Sequence, residues 1–345
     1  MQNDQLDGID YKQSGVDIAA GEAAVKAIKD KVRSTYSPNV LSELGSFGGL
    51  YRINKTAWEN PVLVSSTDGV GTKIMVAIAA GKYDTVGQDL VNHCVNDILV
   101  QGAIPQFFLD YIGVGKLEPP VIERIIDGFV QACRENDCAL IGGEMAEMPG
   151  LYQERDFDLA GTIVGMVEQS EILPRQSITA GDVLIGLPSS GLHTNGYSLA
   201  RKVLFERMGL RVDSYLEELG ESVGEALLKV HRSYLRQLKA YLKNPALHAL
   251  AHITGGGIPG NLARVLPQGL QAVIDLSEVE IPAIFQIIQK GGKVRPEIMQ
   301  QSFNLGIGMI VACDRNIAQE LCTDCGGSII GWLQEADADT KVRFR

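Results

Sequence analysis

The chain has 345 residues, 45% of them apolar, and a formal net charge of −11. That length exceeds one ordinary compact core and predicts two domains, and the composition is that of a globular protein, not a disordered or fibrous one. The acidic balance argues against a nucleic-acid partner, because phosphate backbones attract basic surfaces. It still admits a small phosphorylated ligand held by backbone N–H groups and a divalent cation.

Met1 is followed by a polar stretch, Gln2 to Asp10, with no basic and apolar leader. The longest apolar run, near Ile74 to Ala80, is too short to cross a bilayer. The expectation is a cytoplasmic protein with no membrane partner. Residues 19–35 read as a helix with Val25, Ile28 and Val32 on one face and Lys26, Lys29, Lys31 and Arg33 on the other. Gly45-Ser-Phe-Gly-Gly49 reads as a flexible loop.

Pro61 to Thr67 reads as a buried strand ending at Asp68, Asp89 to Gln101 as a helix stopped by Gly102, and Gln106 to Asp110 as a second strand. Pro120 to Cys133 is strongly amphipathic. Ala139-Leu-Ile141 reads as a strand running into a turn at Gly142-Gly-Glu144. The polar stretch Glu168 to Asp182 is the expected domain boundary, dividing the chain into residues 1–172 and 173–345. Val183 to Leu187 opens the second domain as a strand, and a helix runs from Tyr197. Strands alternate with helices while strand pairs are frequent, so the fold expected is α+β, built of two α/β domains.

The standard nucleotide loops are missing. Gly71-Thr72-Lys73 has the order of a Walker loop reversed, and no strand is followed by G-x-G-x-x-G. Asp68-Gly69-Val70-Gly71-Thr72-Lys73 nevertheless puts a carboxylate, two glycines, a hydroxyl and a cation after a strand, a set suited to a Mg-phosphate group. A plain turn with Thr72 as a helix N-cap is the competing reading. Val95-Asn96-Asp97 lies mid-helix, where Asn and Asp need a partner, and a metal or nucleotide would serve. His93 shares the face of Asp97 four residues on and reads as structural by itself.

Gly142 to Gly150 adds Glu144 as a further hard oxygen ligand, and no other set of residues offers softer ligands for a transition metal. Cys322-Thr-Asp-Cys325 lacks the two further ligands of a zinc site and reads as helix-end thiols. Ser189-Ser-Gly-Leu-His193-Thr-Asn-Gly196 stands before a helix, so Ser190, Gly191, Thr194 and Asn195 form a candidate anion loop, with His193 as acid, base or electrophile. His252-Ile-Thr-Gly255-Gly-Gly257 could wrap a phosphate or ribose through Gly256 and Gly257, or be a flexible turn.

With Gly15-Val-Asp-Ile18, Gly45 to Leu50, Ser65 to Lys73, Cys94 to Ala103, Phe107 to Tyr111, Gly142 to Tyr152, Ser189 to Leu199, His252 to Gly257 and Phe303 to Met309 in this order, nearly the whole chain resembles the phosphoribosylformylglycinamidine cyclo-ligase (aminoimidazole ribonucleotide synthetase) family. The resemblance implies ATP- and Mg²⁺-dependent ring closure in purine biosynthesis through a phosphorylated amide. It also implies a homodimer whose N-terminal sheets pair, with ATP near that interface, and a C-terminal mixed α/β sandwich that receives the substrate phosphate. Carried over residue by residue, Lys29 and the loop of Phe47, Gly48 and Gly49 lie over ATP, joined by Gly69, Gly71, Thr72 and Lys73. Asp68, Asp97 and Glu144 hold the metal. His193 and Asp97 are catalytic, and Ser190, Gly191, Thr194, Asn195, Gly256 and Gly257 hold substrate. Two positions depart from the family: Met145 stands where a hydroxyl residue is common, and Thr194 replaces a serine while keeping the hydroxyl. A thiamine-monophosphate kinase or selenophosphate synthetase of the same superfamily, or a nucleotide sensor without turnover, are the rival readings.

Overall fold

The computed structural model describes residues 13–336 and 340–345, so the polar start from Gln2 to Asp10 lies outside the described residues. The first helix, α1 (Ile18–Arg33), is capped by the Asp17 side chain and buries Ala24, Ile28 and Val32. The four-residue spacing is the expected one, but Val25 is turned outward and is 40% exposed. Lys31 leaves the basic face to pair with Glu123 and Asp127 at 2.6 and 2.8 Å.

Four strands form the first sheet: β1 (Pro61–Gly69), β2 (Ile104–Val114), β3 (Ala139–Glu147) and β4 (Phe157–Glu168), in the order β1-β4-β2-β3. Only β2 and β3 are parallel. A row runs straight across this sheet: Asp68 opposite Gly161, Gly161 opposite Asp110, and Asp110 opposite Gly143. Two expectations change here. β1 is not a buried strand; its residues alternate between exposed and half-buried because it is an edge strand with one face uncovered in the single chain. Gly142-Gly-Glu144 is not a turn, since β3 continues to Glu147. Gly143 sits where a Cβ would lie 2.3 Å from Asp110 Oδ1, so only glycine lets the two strands pair.

The helix α2 (Ile74–Ala80) leads to α3 (Asp84–Leu99), which starts earlier than expected and, with α4 (Pro119–Glu135), covers one face of the sheet. The two cross closely at Gly87 and Gly128, where a Cβ would meet backbone oxygens of the other helix at 2.3 and 2.1 Å. Fourteen of the 16 residues of α3 are buried. A helix buried all round must be core, and α3 is enclosed between the first sheet and the second half of the chain.

That half carries β5 (Val183–Pro188), the short pair β6 (Tyr215–Leu216) and β7 (Glu221–Ser222), then β8 (Leu247–His252), β9 (Leu270–Ile274), β10 (Ile307–Cys313), β11 (Ser328–Glu335) and β12 (Val342–Phe344). Its six-stranded sheet has the order β12-β9-β11-β5-β10-β8 and is antiparallel except for β12 beside β9. Short helices α5 (Tyr197–Arg201), α6 (Val223–Leu227) and α7 (Leu235–Leu238) lie toward α3, followed by α8 (Gly257–Val265), α9 (Ala283–Gly292), α10 (Pro296–Ser302) and α11 (Arg315–Cys325). β8 and β10 are buried along their whole length, as strands covered on both faces must be. One apolar core runs from α1 and the first sheet through α3 into this half, and a second fills the far face of the six-stranded sheet under α8. Cys322 and Cys325 fall in the last turn of α11, which ends at left-handed Gly326, as the helix-end reading expected.

Candidate functional site

The polar side chains of α3 explain why a buried helix carries them. Asp89, Asn92, His93, Asn96 and Asp97 recur at helical spacing and face the second half of the chain. Asn92 Nδ2 donates to the His231 carbonyl at 2.7 Å, and Asn96 Nδ2 to the Arg232 carbonyl at 2.8 Å. Asn96 Oδ1 accepts from the Tyr234 N–H at 3.0 Å. The partner that Asn96 needed is therefore the loop before α7, not a metal or nucleotide.

Lys73 is likewise accounted for by that packing. Its side chain and that of Asp89 are both 0% exposed and lie 2.8 Å apart, and Lys73 also donates to the Lys229 carbonyl. Burial pushes the lysine down and the aspartate up, each opposed by the charge of the other. Lys73 is committed to Asp89 in this conformation and does not reach a phosphate. Thr72 sits in a single helical turn, Gly71–Lys73, and caps nothing; its Oγ1 lies 3.2 Å from Ser198 Oγ.

Four of the five histidines of the chain meet beside this pair. His93 Nε2 lies 2.9 Å from Asp68 Oδ2, and its Nδ1 lies 2.8 Å from Thr194 Oγ1. Thr194 Oγ1 lies 3.3 Å from His231 Nδ1, and His231 Nε2 lies 3.0 Å from His252 Nε2. His252 Nδ1 then lies 2.9 Å from Asp97 Oδ1, while Ser66 donates to Asp97 Oδ2 at 3.0 Å. These links join both halves of the chain into one hydrogen-bonded path from Asp68 to Ser66. Burial opposes charge on Asp68 and Asp97, yet the histidine bonds prevail and hold both below the usual carboxylate range. Burial also opposes charge on His93, but Asp68, Asp97 and Asp89 raise its pKa. Burial and the neighbouring cationic groups drive His193 and His231 well below the ordinary histidine value; burial also lowers His252, against the pull of Asp97. Asn96 Nδ2 also lies 3.2 Å from His231 Nε2, so that nitrogen meets both His252 and an amide of α3.

His193 is 1% exposed and has φ of +61°, with its ring stacked on His231 at a centroid distance of 4.0 Å. Ser190 N–H donates to its Nε2 at 3.2 Å, and its Nδ1 is buried without a hydrogen-bond partner. His193 is therefore at the centre of the cluster but shielded from solvent. Ser190 donates to the Val230 carbonyl, and the Gly191 carbonyl accepts from Asn304 and Ser189. Asn195 lies beside Gly255, whose Cβ would stand 3.2 Å from Asn195 Oδ1, so the loop of residues 189–196 does meet the loop of Gly256 and Gly257.

Of the expected metal residues, Asp97 and Glu144 line two different clefts. A cleft of about 670 Å³ runs between β1 and β8, with Ser65, Ser66, Asp97, His252, Thr254 and Arg264 on its walls. A second, of about 140 Å³, lies between α1, the loop at Gly45 and β3, with Asp110, Gly143 and Glu144 on its walls. Asp68 and Asp97 are together beside His93, whereas Glu144 belongs to the opposite edge of the sheet. Three inter-strand spacings of about 4.8 Å put roughly 14 Å between those edges. Mg²⁺ binds oxygen at about 2.0–2.1 Å, so Asp68, Asp97 and Glu144 of one chain do not share an ion. Lys29, Gly48 and Gly49 are exposed and Phe47 stands fully in solvent, on the Glu144 side. Nothing in the sequence singled out His231, and His93, read there as structural by itself, bonds Asp68 and Thr194. The one sequence signal for both was the excess of polar residues in an otherwise apolar helix.

The family model described as AIR synthase related protein, N-terminal domain, matches residues 49–167, and that of the C-terminal domain matches residues 179–341. The phosphoribosylformylglycinamidine cyclo-ligase of Trichlorobacter lovleyi is 50% identical over 302 residues, covering 88% of this chain and 86% of its own. That of Bacillus cereus is 51% identical over 311 residues, covering 90% of each. Among solved structures, thiamine-monophosphate kinase from Stenotrophomonas maltophilia aligns with a TM-score of 0.66 at 18% identity, over 92% of this chain and 95% of its own. Hydrogenase maturation protein HypE in complex with ATP aligns with a TM-score of 0.64 at 16% identity, over 93% and 91%. These two share the fold; the sequence relatives set the family. The chain belongs to the AIR synthase related family and, within it, to the phosphoribosylformylglycinamidine cyclo-ligases.

Proposed function

We propose that the chain closes the imidazole ring of aminoimidazole ribonucleotide from formylglycinamidine ribonucleotide, using Mg-ATP as phosphoryl donor. The relatives at about half identity over most of the chain carry that name, and the cleft floored by Asp97 and His252 is the observation that supports it here. In this reading the substrate amide oxygen attacks the γ-phosphorus of ATP and ADP leaves. A substrate nitrogen then attacks the activated carbon, loses its proton and expels phosphate, which carries away the former amide oxygen. Amide oxygen is a poor leaving group and phosphate a good one, so the reaction needs positioning and proton removal more than a protein nucleophile. All six cysteines are free and most are buried, and the mechanism uses none of them.

Asp97 is the base in this reading. Its carboxylate lines the cleft, is held below the usual carboxylate range, and is fixed in place by His252 Nδ1 and Ser66 Oγ. Gly256 caps α8 and Gly257 begins it, and they hold the substrate phosphate at that helix end, with Arg264 about two turns on. His193 acts directly only if the loop of residues 189–196 opens, because its ring is buried under that loop. Mg²⁺ arrives on the ATP phosphates, which require only one or two protein carboxylates.

The nucleotide residues gathered near Asp68 and those gathered near Glu144 lie on opposite edges of one sheet. A homodimer whose first-domain sheets pair would bring the two edges of different copies together and complete the ATP site. The uncovered face of β1, where Leu63 is 62% exposed, supports that assembly. The domains are taken as residues 1–172 and 173–345, and the setting as cytoplasmic; among the described residues no helix is long and apolar enough to cross a membrane. Purified chain with Mg-ATP and formylglycinamidine ribonucleotide should yield ADP and the aromatic amine product in equal amounts. ADP release independent of that substrate would overturn the reading.

A further inference from the structure

His231 and His252 hold their rings in matching ways. Each anchors Nδ1 on an oxygen, Thr194 Oγ1 at 3.3 Å for His231 and Asp97 Oδ1 at 2.9 Å for His252, and each aims Nε2 at the other, 3.0 Å away. An oxygen behind the far nitrogen is the feature that orients histidine ligands in metal sites. Two nitrogens at about 2.0–2.1 Å from one tetrahedral Zn²⁺ stand roughly 3.3–3.4 Å apart, so this pair needs to separate by only a few tenths of an ångström. His193 supplies a third imidazole. One donor atom from each of His193, His231 and His252 lies within 4.8 Å of the other two. The His193 Nδ1 is buried with no hydrogen-bond partner in the structure. All three residues come from the second half of the chain and are 1, 0 and 5% exposed.

We propose that His193, His231 and His252 form a binding site for a divalent transition-metal ion of the zinc class, separate from the Mg²⁺ that accompanies ATP. Three imidazoles and no carboxylate in the first shell select Zn²⁺, Co²⁺ or Ni²⁺ over Mg²⁺ and Ca²⁺, which require oxygen ligands. Binding replaces the proton shared by the two Nε2 atoms: metal–nitrogen bonds form to His231, His252 and His193, the proton leaves to solvent, and no electron transfer is involved. The expectation that the chain offers no softer ligand set is thereby corrected, since the three histidines are brought together only by the fold.

The test is a titration of the full, tag-free chain, stripped by chelator and dialysed, with Co²⁺ alone. One equivalent should bind and give visible d–d absorption of four-coordinate intensity, displaced by Zn²⁺ and unaffected by excess Mg²⁺. Thr194→Val, which removes the oxygen behind His231 and with it the partner of His93 Nδ1, should weaken binding about 10–100-fold. His231→Gln should abolish the band. Absence of a four-coordinate band in the wild type, a sulfur-to-cobalt charge-transfer band, or a band unchanged in His231→Gln would overturn the proposal. If His231→Gln fails to fold, His252→Gln, whose amide can still meet Asp97, is read by the same criteria. The readout uses no substrate, so it stands apart from the ring-closure reading.

Discussion

Asp97 Oδ1 and His252 Nδ1 meet at 2.9 Å across the boundary between the two sheets, one carried by the central helix and the other by the last residue of β8. The pair lines the larger cleft and joins a carboxylate, a histidine and both halves of the chain in one contact. Asp97→Asn keeps the shape and removes the base. Turnover should fall about 10²–10⁴-fold, the range of a positioned general base, with the KM for ATP little changed. An unchanged kcat would remove Asp97 from the chemistry.

Lys73 and Asp89 make the opposite kind of prediction. Both are wholly buried, so Lys73→Met leaves an uncompensated carboxylate and should cost about 3–5 kcal/mol in chemical denaturation. Adding Asp89→Asn should recover much of that loss, because the amide oxygen can still accept from the His231 N–H. If Lys73→Met instead folds with wild-type stability and loses ATP affinity, the lysine swings out to a phosphate.

The histidine cluster sets a pH dependence. His193, His231 and His252 have folded pKa values below the ordinary 6.5, so the unfolded chain binds more protons as pH falls. Their contribution is present above pH 6.5 and is lost progressively below it. His93 has a raised pKa and works the other way: its contribution is full below 6.5 and is lost as pH rises through its folded value. His93 adds no slope below pH 6.5, so the three lowered histidines should make unfolding free energy decline there, and His231→Gln should flatten that decline. A slope of opposite sign in urea titrations across that window contradicts the assignment.

Gly143 and Asp110 test the second cleft. Burial pushes the Asp110 carboxyl up to about 7, and a Cβ on Gly143 would stand 2.3 Å from its Oδ1 and 2.5 Å from its carbonyl oxygen. Gly143→Ala should destabilise by about 1–3 kcal/mol through that overlap. Because Glu144 is the next residue, it should also raise the KM for ATP more than the KM for the second substrate. Equal effects on both would detach this cleft from the nucleotide.

Much of the fold was legible because periodicity records burial. The faces of α1 and α4, the strand at Val183 and the polar interval before it follow from spacing and turn residues. The ends of elements were not legible where pairing decides them: β3 continues through two glycines paired with β2, the second of them against Asp110. At the site, Asp68, Asp97 and His193 stood out by residue type, and they do converge on one cluster. Their partners did not stand out. His93, His231 and His252 are brought together from a helix, a loop and a strand end, and no local pattern encodes that meeting. The pairing of Lys73 was not legible either, because its partner Asp89 comes from the next long helix. The separation of Asp68 from Glu144 was not legible, because strand order, not motif order, sets them on opposite edges of one sheet.

The proposed ring closure rests on phosphorylation of the substrate amide oxygen within the cleft of Asp97 and His252. Formylglycinamidine ribonucleotide carrying ¹⁸O in its formyl amide group, turned over with Mg-ATP, tests it most directly by mass analysis of the phosphate released. One ¹⁸O should appear in each inorganic phosphate formed. Label released into water, with unlabelled phosphate, would contradict it.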